Sequence, residues 1–281
     1  MPAPEALCRV APGDTIGKVL RASPLDQLDT RVLLTHALGL SRIQLITQSE
    51  RELTPDEADQ VSRLLSRRIA GEPIAYIVGE REFYGLPLQV TPAVLIPRPE
   101  TELLVDLAVE RAPDRAHILD MGTGSGAIAI AIAYQRSDAA VTALDVSPAA
   151  LDIARSNAAR HQVDVEFLCS DWYVALGQRR FDLILSNPPY IAAGDHHLVQ
   201  GDLRFEPVDA LTDQADGLSA LRRIAERAAR HLVPGGWLLM EHGYDQSVAV
   251  RDLIAAHGFE QVQSWTDLAG IERVSGGVAR C

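Results

Sequence analysis

The sequence predicts an α/β fold, in which a parallel sheet has helices on both faces and follows a small helical N-terminal domain. Strand-like and helix-like segments alternate from residue 116 to the end of the chain, and this alternation is typical of a parallel sheet. Residues 14 to about 78 carry helical patterns only. A glycine-rich loop follows the first strand of the alternating region, as in open sheets that bind ligands at their strand ends.

The first domain is expected to be a helical bundle over residues 1–78. Its second predicted helix begins at Thr54-Pro55, where a capping residue precedes a proline suited to the first turn. Gly71 and Pro73 are expected to end that helix. The apolar stripes of the two best-defined helices are Leu25, Leu28, Val32, Leu33 and Leu34, and then Ala58, Val61, Leu64, Leu65 and Ile69.

Residues 79–95 are predicted to form a linking β-hairpin, because Phe83 to Val90 reads as two short strands around a Gly/Pro turn. The segment Ile96-Pro97-Arg98-Pro99-Glu100-Thr101-Glu102 is stiff, since each proline restricts the residue before it. A helix is expected from Leu103 to Ala112. Residues 96–281 then make up the third and largest part of the chain.

The sheet region alternates regularly. Strands are predicted at 117–120, 140–145, 165–168, 181–186 and 237–241, with two closing strands at 259–265 and 271–279. Helices are predicted at 127–134, 148–161, 219–232 and 246–257, and Pro234-Gly235-Gly236 is expected to end the third of these.

Composition narrows the classes of function. The chain has 26 basic and 38 acidic residues, a formal net charge of -12, which argues against a large phosphate-binding face. No apolar run approaches the roughly 20 residues that span a bilayer, and residues 1–6 lack the pattern of a signal peptide.

The three cysteines of the chain, Cys8, Cys169 and Cys281, are widely spaced without a CxxC, so neither disulfides nor zinc are expected. A cytoplasmic location is the expectation.

The glycine-rich loop is the first candidate site. Asp120-Met121 leads into Gly122-Thr123-Gly124-Ser125-Gly126, whose glycines allow a tight turn and close backbone approach to a ligand. Asp145 ends the next predicted strand and is placed to accept hydrogen bonds from two ribose hydroxyls. The loop alone also matches the GxGxxA variant of dinucleotide enzymes. Three interpretations of the loop therefore remain possible at this point: a methyltransferase, a nicotinamide enzyme and a structural turn. Asp120 can also be a structural cap on the loop.

Asp171 and Trp172 follow the third strand, where an adenine would lie in such a fold. The carboxylate can accept a hydrogen bond from the adenine amino group, and the indole can cover the face of the ring. Packing of Trp172 in the core is the alternative interpretation.

Ser186-Asn187-Pro188-Pro189-Tyr190 follows the fourth strand and carries the predicted chemistry. Two prolines fix the direction of the Pro188 carbonyl, and the Asn187 side chain adds a second acceptor, so together they suit an NH2 group. Tyr190 offers a flat face to a planar amide or base. This set favours methyl transfer from S-adenosylmethionine to such a nitrogen, by positioning and electrostatics. A rigid turn and a cofactor-holding regulatory module are the alternatives.

Four residues near the motif have no assigned role. His196-His197 reads as a solvated loop pair or a substrate contact, and no third ligand stands at metal spacing, so no metal is expected. Glu206 either shapes the site or has a structural role. Arg98 either orients Glu100 or meets a partner protein.

With these motifs, the chain resembles the protein-(glutamine-N(5)) methyltransferases that modify peptide-chain release factors. The likeness covers nearly the whole chain. It includes the helical N-terminal domain, Phe83-Tyr84-Gly85, the segment 96–102, Gly122–Gly126, Asp171-Trp172, Asn187–Tyr190 and Leu232-Val233-Pro234-Gly235-Gly236. Asn-Pro-Pro-Tyr alone is shared with adenine amino-methyltransferases, whereas the proline-arginine segment joined to that N-terminal domain is more specific.

The resemblance implies a Rossmann-like, seven-stranded methyltransferase sheet with its last strand antiparallel. It implies that the substrate is the glutamine of the Gly-Gly-Gln loop of class I release factors, and that S-adenosylhomocysteine is the second product. The cofactor is expected against Gly122, Thr123, Gly124, Ser125, Gly126, Asp145, Asp171, Trp172 and Asn187. The substrate is expected against Asn187, Pro188, Pro189 and Tyr190, with Asn187, Pro188 and Tyr190 as catalytic residues. An adenine methyltransferase acting on DNA or RNA is the alternative; it should show a basic face or a target-reading domain, and neither is evident.

Overall fold

The computed structural model describes residues 9–280, which form two compact units: a helical unit ending at Gly79 and a sheet unit beginning at Glu80. Within the helical unit the helices are α1 (Ile16–Ala22), α2 (Gln27–Leu38), α3 (Arg42–Thr47), α4 (Pro55–Ile69) and α5 (Ile74–Val78). Helix α4 begins as predicted: the Thr54 hydroxyl accepts from the Glu57 N–H, the Glu57 carboxylate accepts from the Thr54 N–H, and Pro55 occupies the first turn.

Six of the twelve buried residues described in the core of the helical unit come from the two predicted apolar stripes. Leu33, Leu34, Val61 and Leu65 are almost fully buried. Leu28 is an exception, because its position at the start of α2 leaves it 64% exposed. The stripe of α2 is therefore narrower than predicted.

The sheet unit opens with a two-stranded hairpin, β1 (Glu80–Phe83) and β2 (Leu86–Gln89). The turn is at Tyr84-Gly85, and both residues have positive φ. Asn157 of the sheet unit fixes the hairpin, since its side chain donates to the Gln89 carbonyl at 3.0 Å and accepts from the Gln89 N–H at 2.7 Å. A short 3-10 turn at Pro99–Thr101 then leads into α6 (Glu102–Arg111).

Seven strands form the main sheet: β3 (His117–Met121), β4 (Ala140–Asp145), β5 (Val165–Cys169), β6 (Phe181–Ser186), β7 (Leu232–Glu241), β8 (Glu260–Thr266) and β9 (Glu272–Val278). Their order is β5-β4-β3-β6-β7-β9-β8. Strands β3 to β7 pair in parallel, and β9 is antiparallel to both of its neighbours. The predicted α/β class and the seven-stranded sheet with an antiparallel last strand are confirmed.

Helices cover both faces of this sheet: α7 (Ala127–Gln135), α8 (Pro148–His161), α10 (Ser219–Ala228) and α11 (Ser247–Ala256). The short α9 (Val208–Leu211) lies in the connection between β6 and α10 and contributes to cavity walls. Successive residues of a strand point to opposite faces, and accordingly Ile118 belongs to the core beneath α6 and α7, whereas Leu119 belongs to the core beneath α10 and α11. Helix α7 has buried residues on every side, as expected for a helix enclosed by the protein.

One boundary differs from the prediction. Helix α10 ends at Ala228, and Pro234-Gly235-Gly236 lies inside strand β7 instead of ending a helix. The register between β6 and β7 shifts there, so Phe181 pairs with Leu232 and Leu183 with Trp237. The glycines tolerate this irregularity: Gly235 has φ +79°, and hydrogen bonds from the Gly235 N–H to Ala279 and from the Ala279 N–H to Gly236 hold the segment.

Within residues 9–280, no helix combines the length and apolar character needed to cross a membrane. Cys169 is a free, exposed thiol. Cys8, Cys281 and the first six residues lie outside the described part of the chain.

Candidate active site

The carboxyl ends of β3, β4 and β6 meet at one edge of the sheet, because Met121 pairs with Leu144 on one side and with Ser186 on the other. A cavity of about 280 Å³ opens there. Its walls come from the loops after these strands and after β5, and from the segment before residue 96. Lining residues include Val94, Leu95, Gly122, Gly124, Asp145, Ser170, Asp171, Trp172, Asn187 and Pro189.

The glycine-rich loop forms the floor of this cavity. The N–H groups of Gly122 and Thr123 both donate to the Leu144 carbonyl at 2.9 Å, which ties the loop to β4. Gly122 and Gly124 have φ values of +74° and +55°, and a Cβ at either position would meet open space. They therefore leave backbone exposed to a ligand.

Three of the predicted cofactor residues lie behind this exposed backbone. Gly126 packs closely, since a Cβ there would come within 2.8 Å of Ile130 Cδ1 and 3.1 Å of Ala154 Cβ. Thr123 and Ser125 are buried. These residues shape the loop and do not line the cavity, in contrast to Gly122 and Gly124.

Asp120 supports the loop from inside the protein. Its carboxylate is fully buried and accepts from the Thr123 hydroxyl at 2.6 Å. Burial raises the pKa of Asp120 to about 7. These contacts agree with the interpretation of Asp120 as a cap on the loop.

Asp145 presents a fixed carboxylate to the cavity. One oxygen accepts from the Gly124 N–H and the other from the Ser147 N–H, both at 2.9 Å. Burial raises the pKa of Asp145, and the N–H groups of Ser147 and Gly124 act in the opposite direction. A carboxylate oxygen can accept more than one hydrogen bond, so both oxygens keep capacity for ligand hydroxyls.

Trp172 lies in the wall of the cavity with a backbone conformation that is unusual for a bulky residue. Its φ is +49°, in the left-handed region where non-glycine residues are strained. The Ser170 hydroxyl donates to the Trp172 carbonyl at 2.8 Å and accepts from the Ala175 N–H at 3.0 Å, which stabilises the turn. The neighbouring Asp171 is exposed, lines the same cavity and lies 3.4 Å from the Arg223 guanidinium.

The Asn-Pro-Pro-Tyr motif separates this cavity from a smaller one. The Ser186 hydroxyl donates to the Met121 carbonyl at 2.8 Å and so anchors the start of the motif to β3. The second cavity measures about 70 Å³, and Asn187, Pro188 and Tyr190 are among its lining residues. Asn187 contributes to the walls of both cavities, so a group bound in one can meet a group bound in the other at this side chain.

Arg98 and Glu206, whose roles the sequence does not decide, form an ion pair. Glu206 is buried, and its second carboxylate oxygen accepts from the Ile96 N–H at 2.9 Å. The pair joins the proline-rich segment to the loop that continues into Pro207 and Ala210 at the cavity wall. The structure thus gives Arg98 a partner within the chain, which is Glu206 and not Glu100.

Two buried side chains beside the motif had no predicted role. Glu241, the last residue of β7, is 2% exposed, and one of its oxygens accepts from the Tyr190 hydroxyl at 3.3 Å. The Asn187 side-chain NH2 donates to the Thr101 hydroxyl at 3.1 Å. An acidic residue directly after the apolar run Leu238-Leu239-Met240 was the signal in the sequence, because it falls at the carboxyl end of a strand beside the motif.

His196 and His197 lie on an exposed turn with Asp195, whose carboxylate lies 2.7 Å from His197 Nδ1. Ligand atoms of the three residues come within 4.8 Å of one another. The expected absence of a metal remains a prediction.

Two protein-family models match this chain, one in the helical unit and one in the sheet unit. A model of the PrmC N-terminal domain matches residues 15–79, and a model of the methyltransferase small domain matches residues 99–203. Among solved structures, a methyltransferase from Pyrococcus furiosus superposes with a TM-score of 0.55 at 19% identity, over 78% of this chain and 100% of that one. A T. thermophilus 16S rRNA methyltransferase in complex with AdoMet and guanosine gives a TM-score of 0.53 at 20% identity, over 72% of this chain and 50% of that one. These two likenesses confirm the methyltransferase fold.

Much closer relatives extend over almost the entire chain. The release factor glutamine methyltransferase of Burkholderia pseudomallei is 55% identical over 94% of this chain and 95% of its own length. The proteins of the same name from Neisseria gonorrhoeae and Escherichia coli are 48% and 44% identical, over 93% and 91% of this chain and 96% and 93% of their own lengths. The resemblance predicted from the motifs is confirmed, and the chain belongs to the family of release factor glutamine methyltransferases, enzymes that use S-adenosylmethionine.

Proposed function

We propose that this chain methylates the side-chain amide nitrogen of the glutamine in the Gly-Gly-Gln loop of class I peptide-chain release factors. One observation carries the proposal: Asn187 stands between a large cavity suited to a nucleoside and a small one suited to an amide side chain. The names of the close relatives support this substrate.

The residues around the larger cavity suit S-adenosylmethionine, which supplies an electrophilic methyl group on a sulfonium. The Asp145 carboxylate has free acceptor capacity for ribose hydroxyls. Gly122 and Gly124 expose backbone to the ligand. Trp172 offers a ring face for adenine, and Asp171 an acceptor for its amino group. Thr123, Ser125 and Gly126 hold the loop in shape from behind.

The motif residues address the weak nucleophilicity of an amide nitrogen, whose lone pair is delocalised into its carbonyl. The Asn187 and Pro188 carbonyl oxygens offer two acceptors for the NH2 group, so they orient it and favour positive charge on nitrogen. Tyr190 and Pro189 bound the planar amide. The nitrogen gains a carbon bond as the carbon–sulfur bond breaks, and it then releases a proton. Positioning and electrostatic stabilisation account for the rate enhancement, and no strong base is required.

The choice of a glutamine over a nucleobase as substrate follows the names of the close relatives. The formal charge of -12 agrees with this choice, because duplex binding depends on several basic phosphate contacts. Nucleic acid is accordingly not a substrate in this proposal.

Each part of the chain has its own role in this proposal. Residues 1–78 recognise the release factor, residues 79–95 link the two domains, and residues 96–281 carry out the methyl transfer. Since release factors act in translation, a cytoplasmic location is part of the proposal.

A parallel methyl-transfer assay tests the proposed function. Labelled S-adenosylmethionine is incubated with the enzyme and purified release factor, duplex DNA or RNA. Label is expected on the release factor only. Preferential labelling of nucleic acid would overturn the proposal, and a cofactor preference for NAD over S-adenosylmethionine would overturn the assignment of the larger cavity.

A further inference from the structure

Behind the Asn-Pro-Pro-Tyr motif lie two hydrogen-bonded pairs of polar side chains, Thr101 with Asn187 and Glu241 with Tyr190. Thr101 and Glu241 are 4% and 2% exposed. The Asn187 NH2 donates to the Thr101 hydroxyl at 3.1 Å, and the Tyr190 hydroxyl donates to Glu241 at 3.3 Å. The other Glu241 oxygen is buried and has no hydrogen-bond partner among the described residues.

The Thr101 side chain does not cap the helix that follows it. It directly precedes α6, where a threonine side chain commonly caps the helix by accepting a backbone N–H. Thr101 makes no such capping bond. Its hydroxyl instead accepts from the NH2 of Asn187, which directly follows another element, β6.

The bond to Thr101 sets the orientation of the Asn187 amide. A side-chain amide has one donor end, its NH2, and one acceptor end, its carbonyl oxygen. Because the NH2 faces the Thr101 oxygen at 3.1 Å, Oδ1 is the end left to accept from a ligand in the two cavities that Asn187 lines.

We infer that Thr101 and Glu241 are positioning residues: Thr101 holds the Asn187 oxygen as an acceptor for the reacting nitrogen, and Glu241 fixes the Tyr190 hydroxyl. This inference rests on the proposed function. Without the Thr101 hydroxyl, the Asn187 amide loses the acceptor for its NH2, and a turned amide presents a donor to the substrate NH2. A substrate held in poor alignment reacts more slowly even when it still binds.

Thr101→Val tests the inference, because valine keeps the shape and removes the hydrogen bonds. We expect kcat on release factor to fall about 10- to 100-fold, with KM for release factor and Kd for S-adenosylmethionine within about twofold of wild type. Thr101→Ser should recover most of the lost kcat. Thr142→Val is the matched control: Thr142 is 3% exposed, and its hydrogen bonds go to Glu166 and Arg179 in a different part of the sheet. Its kcat should stay near wild type.

Several results would overturn the inference: wild-type kcat in Thr101→Val, equal losses in Thr101→Val and Thr101→Ser, or a loss expressed in KM alone. Thr101→Ala carries the test if Thr101→Val does not fold. Its kcat should fall at unchanged KM, since the Asn187 NH2 again loses its acceptor, and an unchanged kcat would again contradict the inference.

If the proposed function is wrong, the wild-type enzyme itself will not methylate release factor, which distinguishes that outcome from failure of this inference. The role of Thr101 can then still be tested by a measurement that needs no substrate. The side-chain NH2 signal of Asn187, assigned in NMR spectra by its loss in Asn187→Asp, should exchange with solvent faster in Thr101→Val than in wild type. Equal exchange rates would show that Thr101 does not hold the amide.

Discussion

Replacing Asp145 should weaken S-adenosylmethionine binding without unfolding the sheet unit. Asp145 is the side chain assigned to the ribose hydroxyls, and its two oxygens are each held by a backbone N–H at 2.9 Å. The carboxylate is therefore set in place before the ligand arrives. Asp145→Ala removes both the charge and the acceptors.

The expected loss follows from the hydrogen bonds that the carboxylate can add. Hydrogen bonds to a charged group contribute roughly 1.5–3 kcal/mol, which corresponds to an increase in Kd of about 10- to 150-fold. Asp145→Asn should also bind more weakly, because its NH2 must face the N–H of either Gly124 or Ser147. Asparagine is therefore not a neutral replacement at this position.

Isothermal titration calorimetry with S-adenosylmethionine measures the effect. Asp182→Ala is the matched control, since the Asp182 carboxylate accepts from the His117 N–H at 2.7 Å but does not line the cavity. Its Kd should match wild type. An Asp145→Ala protein with wild-type Kd, or equal losses in both variants, would refute the assignment.

Three further predictions concern chemistry, pH and domain roles. Asn187→Ala should lower kcat about 100- to 1,000-fold in a folded protein, because one preorganised acceptor is lost; near-wild-type turnover in steady-state assays would contradict its role. Burial raises the pKa of Glu241 from 4.5 to about 7, so the ionised carboxylate destabilises the fold above pH 7, and this cost disappears as the pH falls toward 4.5. The free energy of unfolding of Glu241→Gln relative to wild type should therefore drop by on the order of 1–3 kcal/mol between pH 8 and pH 5 in urea titrations; a pH-independent difference would contradict the raised pKa. Residues 80–281 alone should bind S-adenosylmethionine but methylate intact release factor poorly, and full activity of this truncated chain would count against recognition by residues 1–78.

Features set by local sequence could be predicted. The strand ends, the glycine loop and the cap of α4 depend on residues close together in the chain, and the structure has them where the sequence placed them. Pro234-Gly235-Gly236 was mistaken for a helix end, because the same residues also suit an irregular strand. Pairing with β6 and with Ala279 decides between the two, and the local sequence does not contain that information.

The side chains behind the motif could not be predicted for a similar reason. Thr101 and Asn187 are 86 positions apart, and Tyr190 and Glu241 are 51 apart. Their contacts depend on how three elements meet at the edge of the sheet. Arg98 and Glu206 pair over a still longer separation. A resemblance of motifs indicates which residues surround a ligand, but the hydrogen bonds that orient them require the fold.

The most direct test of the central claim is tandem mass spectrometry of a class I release factor after incubation with this enzyme and S-adenosylmethionine. A release factor whose loop glutamine is replaced by alanine serves as the control substrate. We predict a single added methyl group on the side-chain amide of the glutamine in the Gly-Gly-Gln loop, and none on the alanine variant. Methylation at another residue, or equal methylation of both proteins, would contradict it.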